Sequence, residues 1–162
     1  MNNNRPPISF QPQGRSMHPF IRPGDQVTVI PYSGPGEMEI RPGDCVIFRD
    51  QEQRWLIHRV IGFGEGSGRF LIKGDALLQP DPPVMKTSIA GVVTEVKRSG
   101  SGRIYRLDRP SARFLTRLIA GLSRLEAAVF SFNRPPRVGG GPKIFVRLIK
   151  LPRWLLIRAF FP

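Results

Sequence analysis

The sequence of 162 residues has very little cysteine and no long apolar run. Its single cysteine, Cys45, excludes an intramolecular disulfide framework, so the predicted fold does not depend on an oxidising compartment. This cysteine lies in the apolar run CVIF, which favours a buried core thiol over a reactive one. No stretch of about 18 uninterrupted apolar residues occurs, so an ordinary membrane span is not predicted. The first 15 residues, MNNNRPPISFQPQGR, lack the apolar core of a secretory signal peptide.

Acidic residues are scarce in the second part of the chain. Residues 1–97 carry 11 lysines and arginines against 10 aspartates and glutamates, whereas residues 98–162 carry 14 against two. The net charge of +13 is therefore concentrated, as +12, in the C-terminal part. Such an asymmetry favours an anionic partner, either a lipid surface or nucleic acid.

Residues 8–107 predict a small, mostly antiparallel β-domain. Arg22–Asp25 and Arg41–Asp44 both have the sequence Arg-Pro-Gly-Asp, which is typical of a tight turn before a strand. Short apolar or alternating runs are evenly spaced along this region, with no helical period between them. Six strands are expected, at residues 26–30, 45–48, 55–61, 70–73, 89–96 and 104–107.

The pattern becomes helical after Asp108. Ser111 is suited to cap a helix, and the apolar residues that follow it fall on one helical face. These residues are Phe114, Leu115, Leu118, Leu122, Leu125, Val129 and Phe132.

The rest of the chain predicts a linker and a second helical segment. Residues 133–142, NRPPRVGGGP, predict a flexible linker. Residues 143–161 are mostly large and apolar, with cations at near-helical spacing and with Pro152 expected to kink or interrupt a helix. The expected organisation is a β-domain over residues 8–107 and a basic, amphipathic helical extension over residues 108–162.

Three segments contain residues suited to nucleophilic catalysis. Ser16 precedes the first predicted turn, His58 lies within a predicted strand, and Asp75 and Asp81 lie in KGDALLQPD. A serine nucleophile needs a base within hydrogen-bond reach and an acid that orients the base and stabilises its cation. Serine, histidine and aspartate occur here in that order, but spacing alone does not show that they meet. Taken singly, each residue also fits an ordinary loop, core or turn position.

Four segments together resemble the successive motifs of type I signal peptidases. They are SMHPFIRPGDQVTV, RPGDCVIF, LIHRVIG and FLIKGDALLQPD, in the order found in the family, and the resemblance covers about residues 14–93. The histidine before Arg59-Val60, in place of a lysine, is similar to the endoplasmic-reticulum branch of the family. The resemblance implies a mainly β fold, a small open β-barrel-like assembly of curled antiparallel sheets, followed here by the basic helical extension.

The resemblance also implies a role for each matching residue. Ser16 would be the nucleophile, with its backbone N–H as an oxyanion donor, and His58 would be the general base. Asp81 would be the acid that supports the histidine, with Asp75 of the Lys-Gly-Asp motif as the second candidate. Met17 would line the substrate groove, in which a precursor peptide binds as an extended strand and is cut after small residues at −3 and −1. This chemistry calls for no cofactor and no metal.

The chain departs from the family pattern at several places. Members of this branch usually have a serine two residues before the nucleophile, where this chain has Gly14. The asparagine pair usual after Lys-Gly-Asp is replaced by Ala76-Leu77, and the family's N-terminal membrane anchor is not found. Two other residues are rival bases: His18 at a position where the family varies, and Lys73 of Lys-Gly-Asp, which is expected to be structural.

The function that these observations favour is a serine endopeptidase of signal-peptidase type at a membrane surface. Residues 143–161 interleave cations with Leu, Ile, Phe and Trp, which favours lipid or a protein groove over nucleic acid. The cations would face anionic headgroups, and five residues would enter the acyl boundary: Phe145, Leu148, Trp154, Leu155 and Phe161. This attachment would be peripheral and on the cytoplasmic side. The alternative is a soluble cytoplasmic enzyme in which the same segment packs on the β-domain.

Two further functions remain open on the sequence. One is a self-cleaving protease related to the SOS-response repressors, which share the serine-methionine pair but use a lysine base and cut at Ala-Gly or Cys-Gly. Ala90-Gly91 and Ala120-Gly121 are the candidate bonds. The other is a non-enzymatic module that binds a membrane or nucleic acid through its basic tail.

Overall fold

The structure is a computed structural model that describes residues 6–32, 39–66, 68–132 and 143–162. Side chains are described for these residues except 130–132 and 143–149. The predicted linker and the side chains of Phe145 and Leu148 therefore lie outside the described residues.

One curled antiparallel sheet, open like half a barrel, forms the body of the protein. Its strands are β1 (Ile8–Phe10), β2 (Gln26–Pro31), β3 (Cys45–Arg49), β4 (Trp55–Phe63), β5 (Arg69–Lys73), β6 (Val84–Met85), β7 (Ile89–Lys97) and β8 (Ile104–Arg106). They are ordered β1-β2-β7-β3-β4-β5-β6, and β8 pairs with β7. The mainly β class is confirmed, and the six predicted strands all form. The short strands β1 and β6 were not predicted.

The two Arg-Pro-Gly-Asp segments form the same kind of turn, as predicted. In each, the glycine has a positive φ, 86° at Gly24 and 105° at Gly43. In each, the aspartate side chain accepts a hydrogen bond of 2.8 Å from the backbone N–H of the arginine three residues earlier. Glycine adopts this backbone conformation without steric cost, and the aspartate closes the turn. The turns direct the chain into β2 and β3.

Hydrophobic clusters cover both faces of the sheet. Along β3, Cys45 and Ile47 pack in the first cluster, whereas Val46 and Phe48 pack in the second. This alternation is the two-residue period of a strand that is buried on both sides. The first cluster also contains Met17 and residues of the two helices.

Helix α1 (Pro110–Phe132) turns a different face to the sheet from the one that its apolar pattern suggests. Four residues of the apolar face are exposed: Phe114, Leu118, Leu125 and Val129. The buried face combines apolar and polar residues, namely Leu115, Thr116, Ile119, Ala120, Ser123, Glu126 and Ala127. The physical reason lies in the surface beneath α1, where buried charged groups of the sheet need polar partners.

Helix α2 (Lys143–Phe160) continues through Pro152, so of the expected kink or interruption the interruption does not occur. Arg153, Ile157 and Phe161 follow at a spacing of four, and all are buried. Ile157 and Phe161 belong to the first cluster, so this part of the segment packs on the β-domain. The expectation that Phe161 enters a membrane is therefore wrong, because its ring is 3% exposed and packs edge-on against Phe20. Within the described ranges, neither helix combines the length and apolarity needed to cross a bilayer.

Candidate active site

His58 and Asp81 form a hydrogen-bonded pair. Nδ1 of His58 lies 2.6 Å from Oδ2 of Asp81. His58 is placed by the pairing of β4 with β3, where it lies opposite Val46. Asp81 is placed by its backbone N–H, which donates to the carbonyl of Ile72 at 2.8 Å. With Nδ1 held by a carboxylate, Nε2 is the ring nitrogen available to accept a proton.

Nε2 of His58 is buried and has no hydrogen-bond partner among the described residues. The ring packs edge-on against Phe48, with centroids 5.9 Å apart. Leu56 and Val60, two residues before and after it on β4, pack with the second cluster, so His58 lies on that face of the sheet. Buried polar atoms are nearly always paired in folded proteins, and a catalytic role is one recognised reason for an exception.

Ser16 lines a cavity of about 320 Å³. The residue is half-buried, and Met17 after it is 3% exposed and packs in the first cluster. The other walls come from residues 10–14, from β3 and from residues 55–57 of β4. Met17 thus lines the cavity while it belongs to the core. Ser16 makes no hydrogen bond to His58 in the described structure, because Nδ1 is bonded to Asp81 and Nε2 is unbonded.

The three predicted residues are nevertheless held around the same end of β5. The carbonyl of Ser16 accepts a hydrogen bond of 2.7 Å from the N–H of Ala76, three residues after that strand. Asp81 is bonded to Ile72, the last but one residue of β5. His58 lies on β4, which is the neighbour of β5 in the sheet. Backbone hydrogen bonds therefore tie Ser16 and Asp81 to the chain at or just after this end of β5. The His58 side chain lies on the second-cluster face of the sheet, whereas Met17, next to Ser16, packs in the first cluster.

Asp75 has different partners from those of Asp81. Its carboxylate accepts hydrogen bonds from Arg59, at 2.8 and 3.1 Å, and from Arg153 of α2 at 3.2 Å. Burial by itself raises the pKa of Asp75, but the positive charges of the two arginines outweigh burial and hold it below its ordinary value. Of the two candidate acids, Asp81 is the one that bonds to His58.

Lys73 points toward α1. Its ammonium group lies 3.2 Å from Oε2 of Glu126, and its side chain is fully buried. Burial, and then the positive charge of Arg153, lower the pKa of Lys73 to about 8 in spite of the glutamate. The arrangement fits the structural role expected for this lysine.

The remaining candidates occupy ordinary positions. His18 is exposed, and partial burial together with the charge of Arg22 lowers its pKa. Burial raises the pKa of Cys45 to about 12, so the thiol is not ionised at neutral pH. Ala90-Gly91 lies within β7 and Ala120-Gly121 within α1, where neither bond is in a linker. In the part of the chain that the structure describes, no group of three or more His, Cys, Asp or Glu residues is arranged to hold a metal ion.

Comparison of the chain with protein-family models and with characterised proteins finds no match. The resemblance to signal peptidases therefore rests on the motif residues.

Three residues of the site region were missed from the sequence: Glu126, Lys150 and Arg153. Arg153 bonds to Asp75 and to Glu126, and Lys150 donates to the carbonyl of Ala76. One signal was available. Glu126 is one of only two acidic residues among residues 98–162, so many cations compete to pair with it.

Proposed function

We propose that this chain is a serine endopeptidase of the signal-peptidase type, which cuts a leader or signal segment after small residues. Ser16 is the nucleophile, His58 is the general base and Asp81 orients the histidine. The observation that carries the proposal is the His58–Asp81 pair, in which the second ring nitrogen of the histidine is buried and unbonded. The ordered motifs supply the independent support.

The reaction follows from these positions. Nε2 of His58 takes the proton of the Ser16 hydroxyl as its oxygen attacks the peptide carbonyl, and Asp81 stabilises the resulting imidazolium. The backbone N–H of Ser16 donates to the oxyanion, and the histidine then protonates the leaving amine. Water releases the acyl-enzyme in a second cycle of the same proton transfers. Because no hydrogen bond joins Ser16 and His58 in the structure, the proposal requires substrate binding to bring them within hydrogen-bond reach. Catalytic hydrogen bonds often tighten only in the complex.

The test uses the purified protein and a proteome-derived peptide library, with cleavage sites read by mass spectrometry. We expect new termini that follow small residues, and we expect Ser16→Ala and His58→Gln to abolish them. The matched controls Ser111→Ala and His18→Gln alter an exposed serine and an exposed histidine and should cleave like the wild type. Undiminished cleavage by Ser16→Ala would contradict the proposal. An inactive His18→Gln beside an active His58→Gln would show that the base is wrongly assigned.

We also propose that the protein attaches peripherally to an anionic membrane, and that α1, α2 and β8 share the attachment surface. Exposed apolar side chains support this placement: Ile104, Phe114, Leu118 and Phe160 line one groove of about 480 Å³. Exposed apolar residues that converge on one groove are characteristic of a surface that binds a partner.

The charge around this groove favours an anionic lipid surface as the partner. Arg106 lines the groove, and the exposed Arg113 and Arg117 directly precede Phe114 and Leu118 on α1. Each cation near an anionic leaflet contributes about 1 kcal/mol to binding. The sequence predicted that residues 143–161 alone attach to the membrane. The surface proposed here replaces that prediction, because Arg153 and Phe161 of that segment are buried.

Co-sedimentation with vesicles tests the attachment. The wild type should bind vesicles of phosphatidylcholine with phosphatidylglycerol more strongly than vesicles of phosphatidylcholine alone. The double variant Phe114→Ser/Leu118→Ser should lose this binding, whereas Phe63→Ser, which removes an equally exposed aromatic ring at the end of β4, should keep it. Equal binding by the double variant and the wild type would refute the surface. Equal binding to both kinds of vesicle would refute its electrostatic part.

A further inference from the structure

The backbone of Ser16 is in close contact with the turn that follows β5. Besides the hydrogen bond from Ala76, the carbonyl oxygen of Ser16 approaches Gly74 so closely that a Cβ atom there would lie 2.8 Å from it. Real Cβ atoms essentially never come so near to another heavy atom. The backbone of Ser16 is therefore both hydrogen-bonded to this turn and packed against it.

Helix α2 holds the same turn from the other side. Nη2 of Arg153 donates to the backbone carbonyl of Asp75 at 2.6 Å, and Nζ of Lys150 donates to the carbonyl of Ala76 at 2.6 Å. The carbonyl of Asp75 and the N–H of Ala76 belong to one peptide group. Arg153 thus bonds to one end of this group and Ser16 to the other. A charged donor at the carbonyl polarises the peptide and strengthens the hydrogen bond that its N–H makes.

The guanidinium of Arg153 is itself fixed in direction. Nε donates to Glu126 of α1 at 2.8 Å, and Nη1 donates to the carboxylate of Asp75 at 3.2 Å. Its side chain is 4% exposed. A planar fork of donors meets these three acceptors together, which a lysine ammonium group on a flexible stem does not reproduce.

We propose that Arg153 and Lys150 are positioning residues for the nucleophile: through the Asp75–Ala76 peptide, α2 sets the place of Ser16. The inference rests on the proposed function for its catalytic consequence. The contacts themselves do not depend on it. A misplacement of about 1 Å at a reacting atom can lower a rate by about 100-fold. Loss of the α2 contacts is therefore expected to lower kcat by between about 10- and 100-fold, with little change in KM, because the substrate cavity on β3 and β4 remains.

Two variants and one control test the inference. Arg153→Lys keeps the charge but removes the fork. Lys150→Met removes the hydrogen bond that a half-buried lysine donates to the carbonyl of Ala76. Arg158→Lys changes an exposed arginine on the same helix, which stacks on Trp154 at 4.3 Å and, among the described residues, has no hydrogen bond or ion pair with the turn. Hydrogen–deuterium exchange of the Ala76 amide reports on the turn, and kcat and KM for a peptide identified from the library report on catalysis.

We expect faster exchange at Ala76 and a lower kcat in Arg153→Lys and Lys150→Met, with Arg158→Lys like the wild type. Unchanged exchange and unchanged kcat in the folded variants would overturn the proposal. If Arg153→Lys does not fold, Lys150→Met decides alone by the same two measurements. If the wild type cleaves no peptide but the variants still show faster exchange at Ala76, the structural link between α2 and the turn stands. In that case its catalytic use is refuted, and the proposed function is the part of the argument that is wrong.

Discussion

Replacement of Lys73 by methionine should remove a rise in stability that the wild type shows at alkaline pH. Burial, and next the charge of Arg153, lower the pKa of Lys73 from 10.5 to about 8 in the folded protein. Between these values the unfolded chain binds more protons than the folded protein does, so the free energy of unfolding increases as the pH rises. One pKa unit corresponds to about 1.4 kcal/mol, and the whole window therefore amounts to about 3 kcal/mol.

The variant should still fold, because Glu126 keeps a second hydrogen-bond partner. Oε1 of Glu126 accepts a hydrogen bond of 2.8 Å from Arg153, so removal of the ammonium group leaves this carboxylate paired. Methionine is unbranched and fits the space of the lysine stem. Near pH 7 the variant loses the hydrogen bond between Lys73 and Glu126, but it also avoids the free-energy cost of burying the charge of the lysine. The two effects on the free energy of unfolding offset each other.

Urea denaturation at several pH values between about 7 and 10.5 measures the effect. Groups that titrate in both proteins cancel in the comparison. The free energy of unfolding of the wild type should rise by up to about 3 kcal/mol relative to Lys73→Met across this window. The control Lys97→Met removes an exposed lysine on β7 and should follow the wild type. If the curves of the wild type and Lys73→Met run parallel, the lysine bears no burial cost and the reasoning is refuted.

Three further predictions follow from the contacts around the site. A Cβ at Gly14 would meet nothing within 4 Å, so the variant Gly14→Ser should fold normally. Its added hydroxyl should raise kcat, by at most the roughly 10²–10³-fold that one oxyanion donor supplies. An unchanged kcat would contradict a donor role for a serine at this position. Gly74→Ala should lower kcat without unfolding the protein, because its methyl group displaces the carbonyl of Ser16; full activity would show that the turn does not set the nucleophile. Ile157→Ala should cost about 2–5 kcal/mol of stability in thermal unfolding, against less than about 0.5 for the exposed Leu155→Ala, and equal effects would refute the packing of α2 on the core.

The β-domain could be predicted from the sequence because its signals are local. Proline, glycine and aspartate at fixed positions specify the two turns, and alternating residues specify the strands after them. The strands β1 and β6 contain three and two residues, too few for any alternation to be recognised. Their pairing is decided by the neighbouring strand, as when Ile8 pairs with Val29 of β2.

The helices and the surroundings of the site could be predicted only in part. The periodicity of α1 identified a helix, but it could not reveal that Lys73 and Arg153 lie beneath it and that Glu126 is therefore buried. The motifs indicated the pairing of His58 with an aspartate. They did not indicate on which face of β4 the His58 side chain lies relative to Ser16. The position of Ser16 depends on the course of the chain before the first turn, which the motifs do not specify.

The contact between Asp75 and Arg153 has a consequence for the timing of events during synthesis. The two residues are 78 positions apart, and ribosomes add about 5–20 residues per second, so Arg153 is made roughly 4–16 s after Asp75. For all but the first six residues of that interval the nascent chain already contains Ser16, His58 and Asp81, but α2 has not yet contacted the turn. On the function and the positioning proposed above, the nascent chain would have a kcat about 10- to 100-fold lower until translation has passed Arg153 and α2 has packed. Translation would thus delay full activity by a time that the 78-residue separation of Asp75 and Arg153 determines.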